Sequence, residues 1–188
     1  MERKGKEKEI ESDWIYNSED EYFSSLPQGF KFRRTDLELL EAYLIKKLKN
    51  QPLPLNRIRE VDLYSFATPQ ALTANIKLIR EKKWYFFTPR FRKYANGDRP
   101  DRGTPGGYWK TTGADIKVRN HVGLVLGTKR TLCFHEGKPM AGEKTNWIMH
   151  EYIVDRPTTP HNKPRKLDEW VLCKVFLRNV GQKKDDSA

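Results

Sequence analysis

The first half of the chain contains one stretch in which apolar residues follow a clear helical spacing. These residues lie three or four positions apart on one predicted helix face, and they are Leu40, Tyr43, Leu44 and Leu48. Thr35 and Glu38 precede them in the Thr-x-x-Glu pattern of a capping box, and Asn50 with the prolines after it ends the run. The pattern predicts a helix over residues 36–49. Residues 58–72 are interrupted by Pro69 and favour short helical turns.

From residue 84 onward the pattern changes to short runs of aromatic and β-branched residues, separated by Gly and Pro turn signals. The gaps between these runs are too short for helical crossovers, so neighbouring strands should pair antiparallel. The predicted strands cover residues 84–88, 108–112, 116–118, 124–128 continuing towards 134, 146–154 and 170–176. The sequence therefore predicts the α+β class, with a twisted antiparallel β-sheet flanked by a few helices.

Several aromatic residues and both cysteines lie in the predicted strands. The run from Trp84 to Phe87 does not alternate with polar residues, which favours a strand buried on both faces over a surface that stacks on bases. The pairs Trp147/Tyr152 and Trp170/Phe176 are interpreted as core in the same way. Cys133 and Cys173 lie in apolar runs, so we expect two buried free thiols rather than a disulfide.

Charge is unevenly distributed along the 188 residues, which are enough for one domain. The net charge is +11, and cations concentrate between Lys77 and Arg119. Residues 1–24 are charged and lack apolar periodicity, so they are predicted to form a mobile tail before a folded domain over residues 25–179 and a polar end over 180–188. A signal peptide or a membrane span of about 18 apolar residues is not visible, and a soluble protein is expected.

A short strand beside this cationic region is the candidate binding site. Alternation places Trp109 and Thr111 on one face and Lys110 and Thr112 on the other, before Gly113. The preceding segment carries five cations, and they are Arg90, Arg92, Lys93, Arg99 and Arg102. Cations beside a strand with hydroxyl groups favour binding to nucleic acid, with Arg99 and Arg102 contacting phosphates. The pair Lys129 and Arg130 fits either phosphate contact or solvation of a strand end.

His150, Glu151 and His135 are the candidates for a catalytic acid/base pair. No nucleophile motif, Gly-rich phosphate loop or metal-ligand spacing accompanies them, so the sequence predicts neither an enzyme nor a metal or other cofactor. The histidines are interpreted as strand residues. No small-molecule substrate is expected.

Five motifs occur in one order along residues 26–179. They are LPQGFKF with Thr35-Asp36, the segment from Ile58 to Tyr64, WYFFTPR through Tyr108-Trp109-Lys110, GTKRTL through WIMHEY, and DEWVLCKV. Together these motifs resemble the NAC domain of plant transcription factors. The resemblance implies a nuclear protein that binds double-stranded DNA by placing an edge strand in the major groove, and that dimerises with itself or with other NAC proteins.

The same resemblance assigns individual residues. It implies that the strand from Trp109 through Lys110, Thr111 and Thr112 to Gly113 enters the groove, and that Lys93, Arg99, Arg102 and Lys110 contact DNA. Its dimer contacts fall on the N-terminal part of the domain, at Leu26, Phe30, Lys31 and Glu38. Lys31 takes the place of the family's arginine, so a weaker ion pair with the partner's equivalent of Glu38 is expected.

Two departures from the family pattern keep other functions open. Thr111 replaces the usual alanine and Ile116 replaces a common cation, so the chain could instead be a dimerisation module that binds DNA poorly and modulates longer relatives. The family's long regulatory tail does not follow, from which binding without activation is expected. Single-stranded nucleic-acid binding through Trp84 to Phe87 is a third alternative, disfavoured by their predicted burial.

Overall fold

The computed structural model describes residues 18–27, 29–74, 76, 82–94, 97–155 and 166–179, with the backbone alone at 18–20 and 166. The helices are α1 at Ser18–Ser25, α2 from Asp36 to Leu48, and α3 at Pro69–Thr73, with a 3-10 turn at Leu63–Ser65. The strands are β1 Ile58–Glu60, β2 Lys83–Phe91, β3 Gly103–Thr104, β4 Gly107–Thr111, β5 Ile116–Arg119, β6 Val125–Glu136, β7 Glu143–Val154 and β8 Lys166–Leu177. None of the described helices has the length and apolar composition to cross a membrane.

Helix α2 confirms the predicted element and its cap. Thr35 Oγ1 accepts a hydrogen bond from Glu38 N at 3.2 Å, and Glu38 Oε2 accepts one from Thr35 N at 2.8 Å. The two bonds satisfy donors that a helix start leaves unpaired. The middle of the helix, Leu39–Leu44, is π-helical, and its Leu39, Leu40, Tyr43 and Leu44 are buried.

One sheet runs in the order β1-β2-β8-β7-β6-β4-β3, and β5 also pairs with β6. All six predicted strands are present, most of them longer than predicted. The prediction of a wholly antiparallel sheet is wrong at one edge, because β1 pairs parallel with β2. The connection over residues 61–82 contains the 3-10 turn and α3, and it is long enough for the crossover that a parallel pair requires. Strands β1 and β3 are too short to show a periodic pattern.

The sheet is buried on both faces, as the unbroken aromatic run predicted. On one face Phe86 packs with Trp109, Leu132 and Met149. On the other face Tyr85 and Phe87 pack with the apolar residues of α2 and with Phe32. Trp147 and Tyr152 are buried, and Cys133 and Cys173 are buried free thiols. The long strands thus form a rigid support for the shorter strand β4.

The predicted N-terminal tail needs a correction, because residues 18–24 belong to helix α1. Phe23 is only 8% exposed, and its ring meets the ring of Phe32 edge to face at 6.2 Å between centroids. A single aromatic side chain therefore attaches this segment to the core, and one apolar position gives no periodic signal in the sequence. Residues 1–17 of the predicted tail and the predicted polar end at 180–188 lie outside the described residues.

Candidate nucleic-acid interface

Strand β4 lies near one end of the sheet and is only partly covered on its outer side. It pairs with β6 from Gly107↔Glu136 to Thr111↔Leu132. On its outer side β3 pairs only with Gly107 and Tyr108, and Trp109 N donates to Arg102 O at 2.9 Å. Beyond Trp109, none of the described strands pairs with the outer side of β4. We call residues 110–113 the β4 edge.

The step from Trp109 to the β4 edge separates a core side chain from exposed ones. Trp109 is 3% exposed and its ring meets that of Phe134 at 5.2 Å between centroids. Lys110, Thr111, Thr112 and Gly113 are exposed. Trp109 was predicted to contact DNA, and this prediction is wrong for its side chain, which the sheet core holds. The buried ring fixes the position from which Lys110 projects.

A cleft of about 340 Å³ lies against the β4 edge. Lys93, Arg99 and Lys110 line it and are all exposed. Lys93 N donates to Arg99 O at 2.9 Å, which fixes the base of the loop that carries both cations. Asp101 is the acidic residue of the lining. Three exposed cations against one carboxylate give this surface the net positive charge that phosphate binding requires.

The turn between β6 and β7 closes the far side of the cleft through Pro139 and Met140. Ala141 N donates to Lys138 O at 3.1 Å, and Met140 adopts a φ of 68°. Pro followed by a residue with positive φ is the arrangement of a type II turn. Gly and Pro turn signals in the sequence predict a bend between these strands, but they do not predict its position beside β4. This part of the site was therefore not predicted.

Arg102 differs from the other predicted DNA contacts because it is 14% exposed and paired with a buried carboxylate. Its Nη2 atom lies 2.7 Å from Oε2 of Glu151, which is 0% exposed. Arg90 Nη1 lies 3.3 Å from the same oxygen and Nη2 lies 2.5 Å from Asp168 Oδ2. The assignment of Arg102 as a free phosphate contact is therefore corrected: it lines the cleft, but its guanidinium is held by Glu151.

Lys129 and Arg130 also have partners within the chain. Lys129 Nζ lies 2.8 Å from Asp36 Oδ2 in the first turn of α2. Arg130 Nε and Nη2 lie 2.9 Å and 2.5 Å from the two carboxylate oxygens of Asp115. Because opposite charges at this distance form ion pairs, neither cation is simply a solvated strand end. Their contact with phosphate stays a prediction.

The pKa values of these groups follow from the same contacts. Burial alone would lower the pKa of Arg90, but Glu151 and Asp168 outweigh it and the pKa is raised. The hydrogen bond from Arg130 lowers the pKa of Asp115 and correspondingly raises that of Arg130. Burial alone would raise the pKa of Asp36, but its bonds to Lys129 and Tyr152 lower it overall. These shifts favour the charged forms of Arg90, Arg130, Asp115 and Asp36.

Comparisons with known proteins agree with the motifs in this arrangement. The family model for No apical meristem (NAM) proteins matches residues 27–154, which include every strand from β1 to β7. The NAC domain-containing protein JA2 of Solanum lycopersicum is 50% identical over 155 residues, which are 82% of this chain. The chain belongs to the NAC family.

Other relatives support the same assignment. NAC transcription factor 32 of Arabidopsis thaliana is 49% identical over 153 residues, 80% of this chain and 58% of that protein. NAC domain-containing protein 19 of Arabidopsis thaliana is 47% identical over 160 residues, 85% of this chain and 49% of that protein. The match to JA2 covers 44% of that protein. This NAC chain spans about half the length of the curated relatives that it matches.

The predicted dimer residues of the NAC chain lie together at the N-terminal side of the domain. Phe30 is 54% exposed, Leu26 is half-buried and Lys31 is exposed. The rings of Phe23 and Phe30 lie 6.3 Å apart between centroids. Glu38 forms the capping box and lies 3.8 Å from Arg34 Nη1, so its carboxylate already has partners within the chain. Lys31 is the cleaner probe of an interface here.

His150 and His135 of the NAC chain do not form an acid/base pair. His150 is opposite Thr131 and His135 is opposite Lys144, at separate positions along the β6–β7 ladder. Burial and the cations Lys174 and Lys129 lower the pKa of His150 to about 4, so it is neutral at physiological pH. Among the described residues no group of three or more His, Cys, Asp or Glu side chains has the arrangement to hold a metal ion.

Proposed function

We propose that this NAC chain is a sequence-specific, double-stranded DNA-binding transcription factor that acts in the nucleus as a dimer and places its β4 edge in a major groove. The observation that carries the proposal is the exposed β4 edge, which projects Lys110 and two threonines beside Lys93 and Arg99. The similarity to NAC transcription factor 32 of Arabidopsis thaliana supports it independently.

The division of labour follows from the chemistry of DNA. A major groove admits a two-stranded β-ribbon and presents a different pattern of donors and acceptors for each base pair. Lys110 can donate to guanine O6 and N7, while the hydroxyl of Thr111 can donate or accept. Lys93 and Arg99 lie beside the edge and can bind phosphates, which position the protein without specifying sequence.

Replacing Lys110 by Ala tests the proposed groove contact. We expect the affinity for a selected duplex site to fall by roughly 1–3 kcal/mol, because a base contact is lost. The melting temperature should not change, because the side chain is exposed. Fluorescence anisotropy on selected and random duplexes, with a thermal melt of each variant, measures both quantities.

Lys49→Ala is the matched control. Lys49 is also exposed, but it caps the C-terminal end of helix α2 and is not part of the β4 edge. It should bind the selected site as the wild type does. Equal affinities for Lys110→Ala and the wild type would contradict the proposed groove contact. A wild-type protein that dimerises but does not prefer the selected duplex would instead be the dimerisation module.

Replacing Lys31 by Glu tests the proposed dimer. Two β4 edges on one duplex combine their binding free energies, so a paired site should be held more tightly than a half-site. We expect Lys31→Glu to shift the protein towards monomer and to weaken binding to paired sites more than to half-sites. Lys31→Arg is the control and should strengthen the dimer slightly, because Arg binds a carboxylate with two parallel hydrogen bonds.

Light scattering and titrations with paired and single half-sites measure these effects. An unchanged dimer population in Lys31→Glu would place the interface elsewhere. Phe30→Ser then gives a second probe of the same surface, because Phe30 is the large exposed apolar side chain next to Lys31.

A further inference from the structure

The carboxylate of Glu151 lies under the DNA-facing surface and is completely buried. Three guanidinium groups surround it. Arg102 Nη2, Arg90 Nη1 and Arg130 Nη1 lie 2.7, 3.3 and 3.9 Å from its Oε2 atom. The hydroxyl of Tyr64 lies 3.4 Å from Oε1. A single carboxylate of β7 therefore contacts side chains from β2, β6, the 3-10 turn and the loop before β3.

Two of these guanidiniums connect Glu151 to the chain segments at the two ends of β4. The carbonyl of Arg102 accepts the hydrogen bond from Trp109 N, and the next residue, Gly103, pairs with Tyr108. Arg130 holds Asp115 through two hydrogen-bonding nitrogens, and Asp115 follows the β4 edge by two residues. Glu151 thus joins the segment that precedes β4 to the turn that follows it.

The contacts also decide which cations are available to a polyanion. Arg90, Arg102 and Arg130 carry three positive charges, and Glu151, Asp168 and Asp115 carry three negative charges in the same set of contacts. Arg102 lines the cleft beside Lys93, Arg99 and Lys110. When Glu151 is charged, the positive charge of the cleft comes mainly from the side chains beside the β4 edge. If the charge of Glu151 is removed, the guanidiniums that it holds become available to contact phosphate.

We propose that Glu151 is a positioning residue that sets the DNA specificity of this domain. It holds the segments on either side of β4 in place, and it keeps Arg102 and Arg130 from making sequence-independent contacts with phosphate. This inference rests on the proposed function, because it assigns a second effect to the same DNA-binding surface. A purely structural role would lower stability and leave the balance between specific and random binding unchanged.

Glu151→Gln tests this role because it removes the charge and keeps the size of the side chain. We expect the salt dependence of binding to a random duplex to become steeper by about 0.9 in log–log slope for each guanidinium that reaches a phosphate. The ratio of affinities for the selected and random duplexes should fall about tenfold or more, since random binding gains contacts while the β4 edge is less well fixed. Adding Arg102→Gln to Glu151→Gln should return the salt slope towards the wild-type value.

Asp168→Asn is the matched control within the same set of ion pairs. It also removes one negative charge, but its partner Arg90 lies in β2 and stays in contact with Glu151. This variant should lose stability and keep the wild-type specificity ratio and salt slope. If Glu151→Gln behaves like Asp168→Asn in both binding measurements, Glu151 has only a structural role and the proposal is overturned.

Arg102→Gln gives a second test if Glu151→Gln does not fold. Because Glu151 holds the Arg102 guanidinium, removing that guanidinium should leave the salt slope of random-duplex binding at the wild-type value. A slope that becomes shallower by about 0.9 would show that Arg102 already contacts phosphate in the wild type, and it would overturn the proposal. Failure of the proposed function has a different signature, because the wild-type protein itself would then show no preference for the selected duplex.

Discussion

Two groups of cations lie around the β4 edge of this domain, and they differ in what their charges contact. Lys93, Arg99 and Lys110 are exposed around the cleft at the β4 edge. Arg90, Arg102 and Arg130 lie in the adjacent ion pairs with Glu151, Asp168 and Asp115. Between positions 90 and 110, Arg90 and Arg102 of the paired group are interspersed with the three exposed cations. The comparison shows that carboxylate partners and burial, rather than the number of basic residues, separate the accessible cations from those already paired within the chain.

The largest effect is expected in the paired group, from Arg90→Met. The Arg90 side chain is 8% exposed. Its removal takes one cationic partner away from both Glu151 and Asp168. Breaking a buried ion pair from one side typically costs about 3–5 kcal/mol, because a buried charge loses its compensation. Urea unfolding monitored by tryptophan fluorescence measures the change. If the free energy of unfolding falls by less than about 1 kcal/mol, the paired cations contribute no more to stability than exposed ion pairs do, and this prediction is contradicted.

A smaller effect, confined to binding, is expected in the exposed group from Arg99→Ala. Binding to selected and random duplexes should weaken alike, and the log–log salt slope should become shallower by about 0.9, because one phosphate contact is lost. Unfolding should be unaffected. A loss limited to the selected duplex, with an unchanged salt slope, would show that Arg99 contacts bases instead.

Acid should weaken the ion pair between Asp115 and Arg130 in the paired group. The folded-state pKa of Asp115 is lowered, chiefly by its hydrogen bond from Arg130. Its stabilising contribution is therefore fully present above the unfolded pKa and is lost as the pH falls through the folded pKa. Because Asp115 is largely exposed, the contribution should be under about 1 kcal/mol.

Asp115→Asn should remove this part of the acid sensitivity. Comparing urea midpoints of the variant and the wild type at neutral pH and near pH 3 measures it. The two proteins should differ in stability at neutral pH and converge in acid. A constant difference at both pH values would mean that the Asp115 carboxylate does not lose its contribution by protonation.

The fold could be predicted largely because the relevant signals are local. The capping box at Thr35 and Glu38 and the spacing of Leu40 and Leu44 identify α2 within a few turns of chain. The aromatic run from Trp84 to Phe87 identifies a strand buried on both faces. Strand β1 was missed because three residues give no period, and its parallel pairing with β2 depends on a connection whose path is set by tertiary packing.

The site was predicted only in part because ion pairs form between residues distant in sequence. Arg102 and Glu151 are separated by 49 positions, so no window of sequence shows that one neutralises the other. Lys129 and Asp36 are separated by 93 positions. Trp109 was assigned to DNA from its place in a motif, although its aromatic character fits equally well the core position it occupies. Exposure of Lys110, by contrast, follows from strand alternation beside a buried Trp109.

Amide hydrogen exchange of the β4 edge, with and without the selected duplex, tests most directly whether this edge is the DNA-contacting element. Strand β1 forms the opposite edge of the sheet and serves as the internal reference. We predict that a saturating amount of the selected duplex slows exchange in the segment that contains residues 110–113, while exchange at Ile58–Glu60 changes less. Exchange in β4 that is unchanged when the duplex is bound, with protection appearing at another surface, would contradict the account.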